Sequence, residues 1–435
     1  MPLGRPSNGP VPRALLLVLA LAVPAPGDDP RPNVLLILAD DLGYGDLGVH
    51  GATDLATPHV DSLARDGVRF PNAYVTSPVC APTRAGLHTG RYPQRFGFEF
   101  NAPEARAQDY GLPREEPTLA ERLKAAGYVN GMIGKWHIGF REELTPPQRG
   151  FHEFFGFLSG MRSYFPRQGA DPVLRGGEPV EEQAYLTEAF GREAAAFVDR
   201  HRGRPFFLSL AFNAVHAPLQ ATPAGEARFP AIADPQRRTY AAMVAAMDDA
   251  VGVVLAKLRE AGLEERTLVF FLNDNGGPTR QTTARNRPLR GVKGQLFEGG
   301  IRVPFFLRWK GRLRAGRVYE EPVIALDVAA TALAAAGLEV PRELDGVDLL
   351  PHLDGRAAAP PHEALYWRYG DQAAVRAGEW KLLLRGGKAE LYHLGRDVGE
   401  RRDLAAEEPE RARALRAAYD RWAAGLQPPR WPQKD

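Results

Sequence analysis

The chain alternates short apolar runs with longer amphipathic stretches. Residues 33–39 (NVLLILA) form a continuous apolar run, the pattern of a parallel strand buried on both faces, and Asp40-Asp41 follow it. Residues 117–126 (PTLAERLKAA) have helical periodicity, with Pro117 at the start and Gly127 as the stop. Residues 129–133 predict a second strand, with Lys135-Trp136-His137 after it. Residues 184–201 predict an amphipathic helix. A third strand at 205–212 (PFFLSLAF) is followed by His216, and a long helix at 236–261 is closed by Gly262. A fourth strand at 267–272 (TLVFFL) has Asp274-Asn275 just past it. The alternation predicts an α/β fold: a large mixed, mostly parallel sheet flanked by helices.

This pattern has a geometric consequence. Asp40, Asp41, Lys135, His137, His216, Asp274 and Asn275 all fall just beyond the C-terminal ends of predicted strands. In open α/β sheets that edge is where ligands bind. Four strands delivering acid, amide, Lys and His to one edge point to a site.

From about residue 356 the pattern changes. An AAAPP stretch at 357–361 reads as a linker. Short strands are predicted at 364–369, 372–376, 380–384 and 390–394, with Gly-containing turns between several of them, and one helix at 409–426. The prediction is a catalytic α/β domain at 28–355 and a C-terminal α+β subdomain at 356–435, a small antiparallel sheet carrying one helix.

Composition narrows the class. The 435 residues are 44% hydrophobic and 25% charged, which excludes a wholly disordered chain. No period recurs, so a repeat or coiled-coil protein is excluded too. A formal charge of +2 gives no electrostatic case for nucleic-acid binding. The one cysteine, Cys80, can form no intrachain disulfide.

Residues 1–27 have the order of a secretory signal: Arg5 and Arg13, an apolar run at 14–23, then small residues around Ala25 and Gly27. A run of about ten residues is short of the ~20 that span a bilayer. Export, to a periplasm or outside the cell, is therefore expected. No later segment has ~18 consecutive apolar residues, so no membrane span is expected.

Two features carry the chemistry. Asp40-Asp41 and Asp274-Asn275 are paired oxygen donors, and hard cations take carboxylate and carbonyl oxygens. Singly, each pair is more often a turn or cap; together they favour a metal site. The second feature is C-A-P-T-R at 80–84, continuing A-G-L-H-T-G-R to Arg91. A bare C-x-P-x-R is more often a buried small residue in a turn. The continuation resembles the sulfatase signature, in which the cysteine is oxidised to formylglycine. Segments 33–48, 134–139 (GKWHIG), 149–157 (RGFHEFFGF), 216–218, 274–277 (DNGG) and 288–304 resemble that family's segments in the same order. The resemblance is closest to the arylsulfatase A and N-acetylgalactosamine-6-sulfatase type, within the alkaline-phosphatase-like superfamily.

The resemblance implies a sulfuric ester hydrolase acting on a sulfated carbohydrate or aryl sulfate. It implies one Ca2+ per chain held by Asp40, Asp41, Asp274, Asn275 and the modified residue 80. Arg84 would hold the hydrated aldehyde, Lys135 and Lys293 would bind sulfate oxygens, and His137 would orient or deprotonate the diol. His216, with Lys293, would protonate the leaving alcohol. One hydroxyl of the diol attacks sulfur and the second expels sulfate; a serine lacks the second. A formylglycine-generating enzyme is implied as a maturation partner. Gly276-Gly277 and Gly299-Gly300 are expected to permit close approach without chemistry.

Departures accompany the match. Thr83 and His88 stand where Ser and Leu are frequent, and His59 and His152 where Asn and Asp are expected. His59 is expected to cap or pack. The turn at 393–400 replaces an acidic Asp-Pro-x-Glu pattern, a change expected to affect that turn alone. Specificity is expected in loops 98–114, 159–182 and 278–286, where Arg106, Arg114, Arg162, Arg167, Arg175, Arg280 and Arg285 would suit a polyanionic glycan; ordinary surface arginine is the competing reading. Two other functions stay open. One is a phosphonate monoester or phosphodiester hydrolase on the same scaffold, against which Lys135, His216 and Lys293 weigh. The other is an inactive sulfated-glycan-binding relative, against which the intact Cys80 and metal acids weigh.

Overall fold

A computed structural model describes residues 1, 4, 31–102, 110–166 and 172–433. The charged and apolar positions of the expected leader lie outside them, as do Arg106 and Arg167. In chain order the strands of the main body are β1 (Asn33–Ala39), β2 (Val68–Arg69), β3 (Ala73–Tyr74), β4 (Val129–Lys135), β5 (Glu153–Phe157), β6 (Val173–Arg175), β7 (Glu178–Val180), β8 (Phe206–Ala211), β9 (Thr267–Asn273), β10 (Phe305–Arg308), β11 (Arg317–Val318) and β12 (Val323–Ile324). Ten of them form one sheet in the order β11-β2-β10-β9-β1-β8-β4-β5-β6-β7, and β12 pairs with β3. The run β9-β1-β8-β4-β5 is parallel. The β9–β10 pair and the pairs among β5, β6 and β7 are antiparallel. The sheet is therefore mixed with a parallel centre.

β1 is the central strand, buried along its whole length and apolar from Val34 on because helices cover both faces. One face packs on the helices Leu186–His201 and Pro235–Glu260 through Phe190, Phe197, Val244 and Val251. The other packs on Cys80–Thr89, Leu119–Ala125 and Asp327–Ala335. The Leu119–Ala125 helix starts two residues later than its periodicity predicts. Thr118, itself extended, caps it, and Glu121 returns the bond to the Thr118 N–H.

The C-terminal sheet is as predicted: β13 (Leu365–Tyr369), β14 (Gln372–Ala377), β15 (Trp380–Arg385) and β16 (Lys388–His393), antiparallel, with the helix Pro409–Ala423 on it. Its inner face is continuous with the main core. Trp367 is fully buried, packs on Tyr74 and donates its indole N–H to Val75 O at 2.6 Å. Lys381 reaches in to Glu298 and to Glu400, 2.9 Å from each. That corrects one expectation. Glu400 does not act in its turn alone: it is buried, left-handed at φ 51°, and accepts the Glu298 N–H at 2.7 Å.

Among the described residues no helix is long and apolar enough to cross a membrane.

Candidate active site

Parallel pairing brings the acids together. The register Ala39↔Asn273 places Asp40-Asp41 beside Asp274-Asn275 at the C-terminal edge of the sheet. Asp274 N–H donates to Ala39 O at 3.2 Å, and Asp41 N–H to Asp274 Oδ1 at 3.4 Å. On the other flank Asp40 N–H donates to Ala214 O, which draws the β8 loop carrying His216 inward. Asp41 and His137 both hold left-handed backbone, at φ 60° and 63°; such strain in non-glycine residues needs support from the surrounding structure. Lys135 is the last residue of β4 rather than a residue past it, because the β4 ladder to β5 runs on to Phe157.

Cys80 is the first residue of a ten-residue helix, preceded by extended Val79. The first N–H groups and dipole of that helix favour negative charge at Cys80. Its Sγ lies 3.7 Å from Asp40 Oδ1. Arg84, one turn on, faces the same way. It does not point at the Cys80 side chain alone: its guanidinium grips Asp274 Oδ2 at 2.8 and 3.0 Å, Asp40 Oδ2 at 3.3 Å and Lys135 O at 2.8 Å. Lys135 Nζ lies 2.5 Å from Asp40 Oδ2. Lys293 Nζ contacts both oxygens of Asp41, at 2.7 and 2.9 Å. His216 Nε2 stands 3.5 Å from Asp41 Oδ2, with Nδ1 2.6 Å from Ala217 O. All the predicted site residues thus converge.

Three carboxylates face three cations in this cluster. Asp40, Asp41, Asp274, Lys135 and Asn275 are fully buried and Cys80 and Arg84 are 1% exposed, whereas the side chains of His216 and Lys293 keep 14% and 16% exposure. The site is a pit with a closed floor and a rim of His216 and Lys293. Burial opposes the charge on Asp40, but Lys135, His216, Arg84 and Lys293 overcome it and hold the carboxyl well below its ordinary range. Burial and the neighbouring Asp40 push Asp274 up to about 6 against the pull of Arg84. Burial pushes the Cys80 thiol up to about 12, so as a thiol it is a poor nucleophile. Burial also lowers both His137 and His216, against the opposite pull of Asp40 on each.

The donor set fits a hard cation. Ligand atoms of Asp40, Asp41, Cys80 and His216 lie within 4.8 Å of one another. Asn275 donates its amide N–H to Asp41 Oδ1 at 2.6 Å, which leaves its buried Oδ1 with no partner. An orphaned carbonyl oxygen beside three carboxylates is what an oxygen-loving cation satisfies.

Other expectations resolve individually. A Cβ on Gly276 would lie 1.7 Å from Gly299 O, so these glycines do serve close approach. His88 is buried against Trp136 and Phe151, and burial lowers it to about 3, so it is a neutral aromatic filler. His59 lies at the start of the Pro58–Arg65 helix, where Asp248 takes its N–H. His152 is not in the site; its Nδ1 meets Asn130 N near the opposite end of β4. Of the specificity arginines, Arg175 pairs with Glu193 and Arg285 with Asp54. Two site neighbours carried no sequence signal. Tyr164 donates its hydroxyl to Asn213 O and His216 O, fixing the His216 loop. Tyr369, from the C-terminal sheet, lies within the electrostatic reach of Cys80 and Lys293.

Comparison with known proteins agrees with this geometry. The family model described as Sulfatase matches residues 32–338, and that described as N-sulphoglucosamine sulphohydrolase, C-terminal, matches 292–415. N-acetylgalactosamine-6-sulfatase of Canis lupus familiaris is 37% identical over 397 residues, 85% of this chain and 74% of that protein. Arylsulfatase A of Homo sapiens is 37% identical over 410 residues, 85% and 77%. A solved structure of Ps i-CgsB in complex with k-i-k-neocarrahexaose superposes with a TM-score of 0.88 at 36% identity, covering 92% of this chain and 94% of that one. The chain therefore belongs to the sulfatase family and is a sulfuric ester hydrolase.

Proposed function

We propose that the chain hydrolyses sulfate monoesters of a sulfated carbohydrate, using a formylglycine made from Cys80 and a calcium ion. The observation that carries this reading is the placement of the single cysteine. It heads a helix, 3.7 Å from Asp40, in a pit of three carboxylates and three cations. Relatives support the substrate class: one is named for a sulfated amino sugar, and a solved neighbour holds a neocarrahexaose.

Asp40, Asp41, Asp274 and Asn275 would hold the calcium, which supplies positive charge beside the reacting sulfate. Formylglycine, once hydrated, supplies two hydroxyls on one carbon, one to attack sulfur and one to release it. Arg84 fixes Asp40 and Asp274 relative to residue 80. Lys135 and Lys293 offer ammonium groups to the sulfate oxygens where charge builds up. His137 orients the nucleophile from the floor of the pit. At the rim, His216 and Lys293 deliver a proton to the leaving alcohol oxygen. The leader at 1–27 directs export, and a formylglycine-generating enzyme acts before the protein matures.

Peptide mass spectrometry on protein from a competent host tests this directly. The Cys80 peptide should be about 18 Da lighter, as a thiol becomes an aldehyde. Calcium-dependent release of sulfate from a sulfated oligosaccharide should vanish in Cys80→Ala. An unmodified thiol in an active enzyme would sink the nucleophile assignment.

A further inference from the structure

Lys293 sits in irregular backbone between two left-handed glycines, Gly291 at φ 89° and Gly294 at φ 83°. Glycine there frees the chain conformationally, so the position of the Lys293 ammonium depends on what holds its neighbours. One tie is Gly294 N–H to Pro78 O at 2.9 Å, two residues ahead of Cys80. Within the segment Gln295 N–H donates to Val292 O at 3.0 Å and Val292 N–H to Gln295 Oε1 at 3.2 Å, and a further tie comes from the C-terminal sheet. Gln372, the first residue of β14, donates its amide N–H to Gly294 O at 3.1 Å. Its Oε1 accepts the Leu296 N–H at 3.2 Å. One carboxamide thus spans residues 294–296 and locks the segment carrying Lys293. The hairpin that presents it is anchored in turn, since Tyr369 pairs with Gln372 and packs its ring on Phe100. Neither Asn, one methylene shorter, nor Glu, which lacks the donor, can reproduce both bonds.

We propose that Gln372 is a positioning residue for Lys293, through which the C-terminal sheet sets the rim of the active site. The inference rests on the reading that Lys293 serves sulfate and the leaving oxygen. Misplacing a catalytic group by about 1 Å costs on the order of a hundredfold. Gln372→Leu keeps the side chain's bulk and removes both bonds.

The test compares the wild type, Gln372→Leu, Lys293→Ala and the double variant on a sugar sulfate and on 4-nitrophenyl sulfate. Gln372→Leu should lower kcat on the sugar sulfate by roughly tenfold or more. It should lower it less on the aryl ester, whose leaving group needs little protonation. In the Lys293→Ala background the same substitution should change little, because the ammonium it positions is gone. A loss of equal size in both backgrounds, or none in the wild type, overturns the inference. An inactive wild type would instead indict the functional reading. Amide exchange then still decides for Gln372: residues 289–297 should exchange faster in Gln372→Leu with an unchanged melting temperature, and unaltered exchange refutes the clamp.

Discussion

On the proposed formylglycine mechanism, the difference between two oxygens and one at residue 80 decides turnover. Cys80→Ser in a competent host should accept sulfate once and stop, since a single hydroxyl cannot also expel it. The expected result is one equivalent of alcohol released and a protein heavier by one sulfate group in intact mass spectrometry; sustained turnover would refute the diol reading. Asn275→Ala should weaken calcium binding by about 5- to 150-fold, because a buried carbonyl that a cation satisfies contributes about 1–3 kcal/mol. Calorimetry with calcium alone reads this without any substrate. Most residues of the pit were legible in the sequence, since Asp40, His216 and Asp274 each follow a strand end that the apolar pattern marks. Tyr164, Tyr369 and Gln372 were not, because each reaches the site from a distant part of the chain and meets a backbone group or a field rather than a motif.

At the scale of elements, the long apolar strands and amphipathic helices were legible to within a few residues. β2, β3, β11 and β12 were not, as two residues carry no periodicity, and neither were the short strands β5, β6, β7 and β10 or the helices Pro58–Arg65 and Asp327–Ala335. The junction between the two sheets was also hidden, since it depends on a buried ion group. Burial pushes Glu400 up to about 7 despite Lys381, while Lys381, Arg302 and Arg376 overcome burial to hold Glu298 down to about 2. Between its ordinary 4.5 and about 7, folded Glu400 keeps a proton that the unfolded chain has lost, so its contribution to stability falls as pH rises across that window. Glu298 acts in the opposite sense, its contribution falling as pH drops from 4.5 towards 2. Lys381→Met should therefore cost about 3–5 kcal/mol, the scale of an uncompensated buried charge. Denaturant midpoints should show a larger loss at pH 8 than at pH 5, where Glu400 is neutral. An equal loss at both would place the effect in packing instead.

For the whole molecule, three buried carboxylates within one pit make the folded state a far better cation host than the open chain. Calcium at 100 times its dissociation constant should add about 2.7 kcal/mol of stability. A chelator should thus lower the melting temperature of the wild type, and lower it less in an Asp40→Ala variant. The strand order has a further consequence, for the timing of folding. β1 is the first strand among the described residues, yet it lies at the centre of the sheet, and its bonded partners start 173 and 234 residues later. Pairings so distant in sequence close slowly, and on a growing chain they cannot begin until the partners have been made. On the proposed reading, Cys80, which ends 1% exposed at the C-terminal edge of the sheet, stays open to a modifying enzyme until β9 is in place. The topology that buries Cys80 would then also set the interval in which the proposed nucleophile can be made.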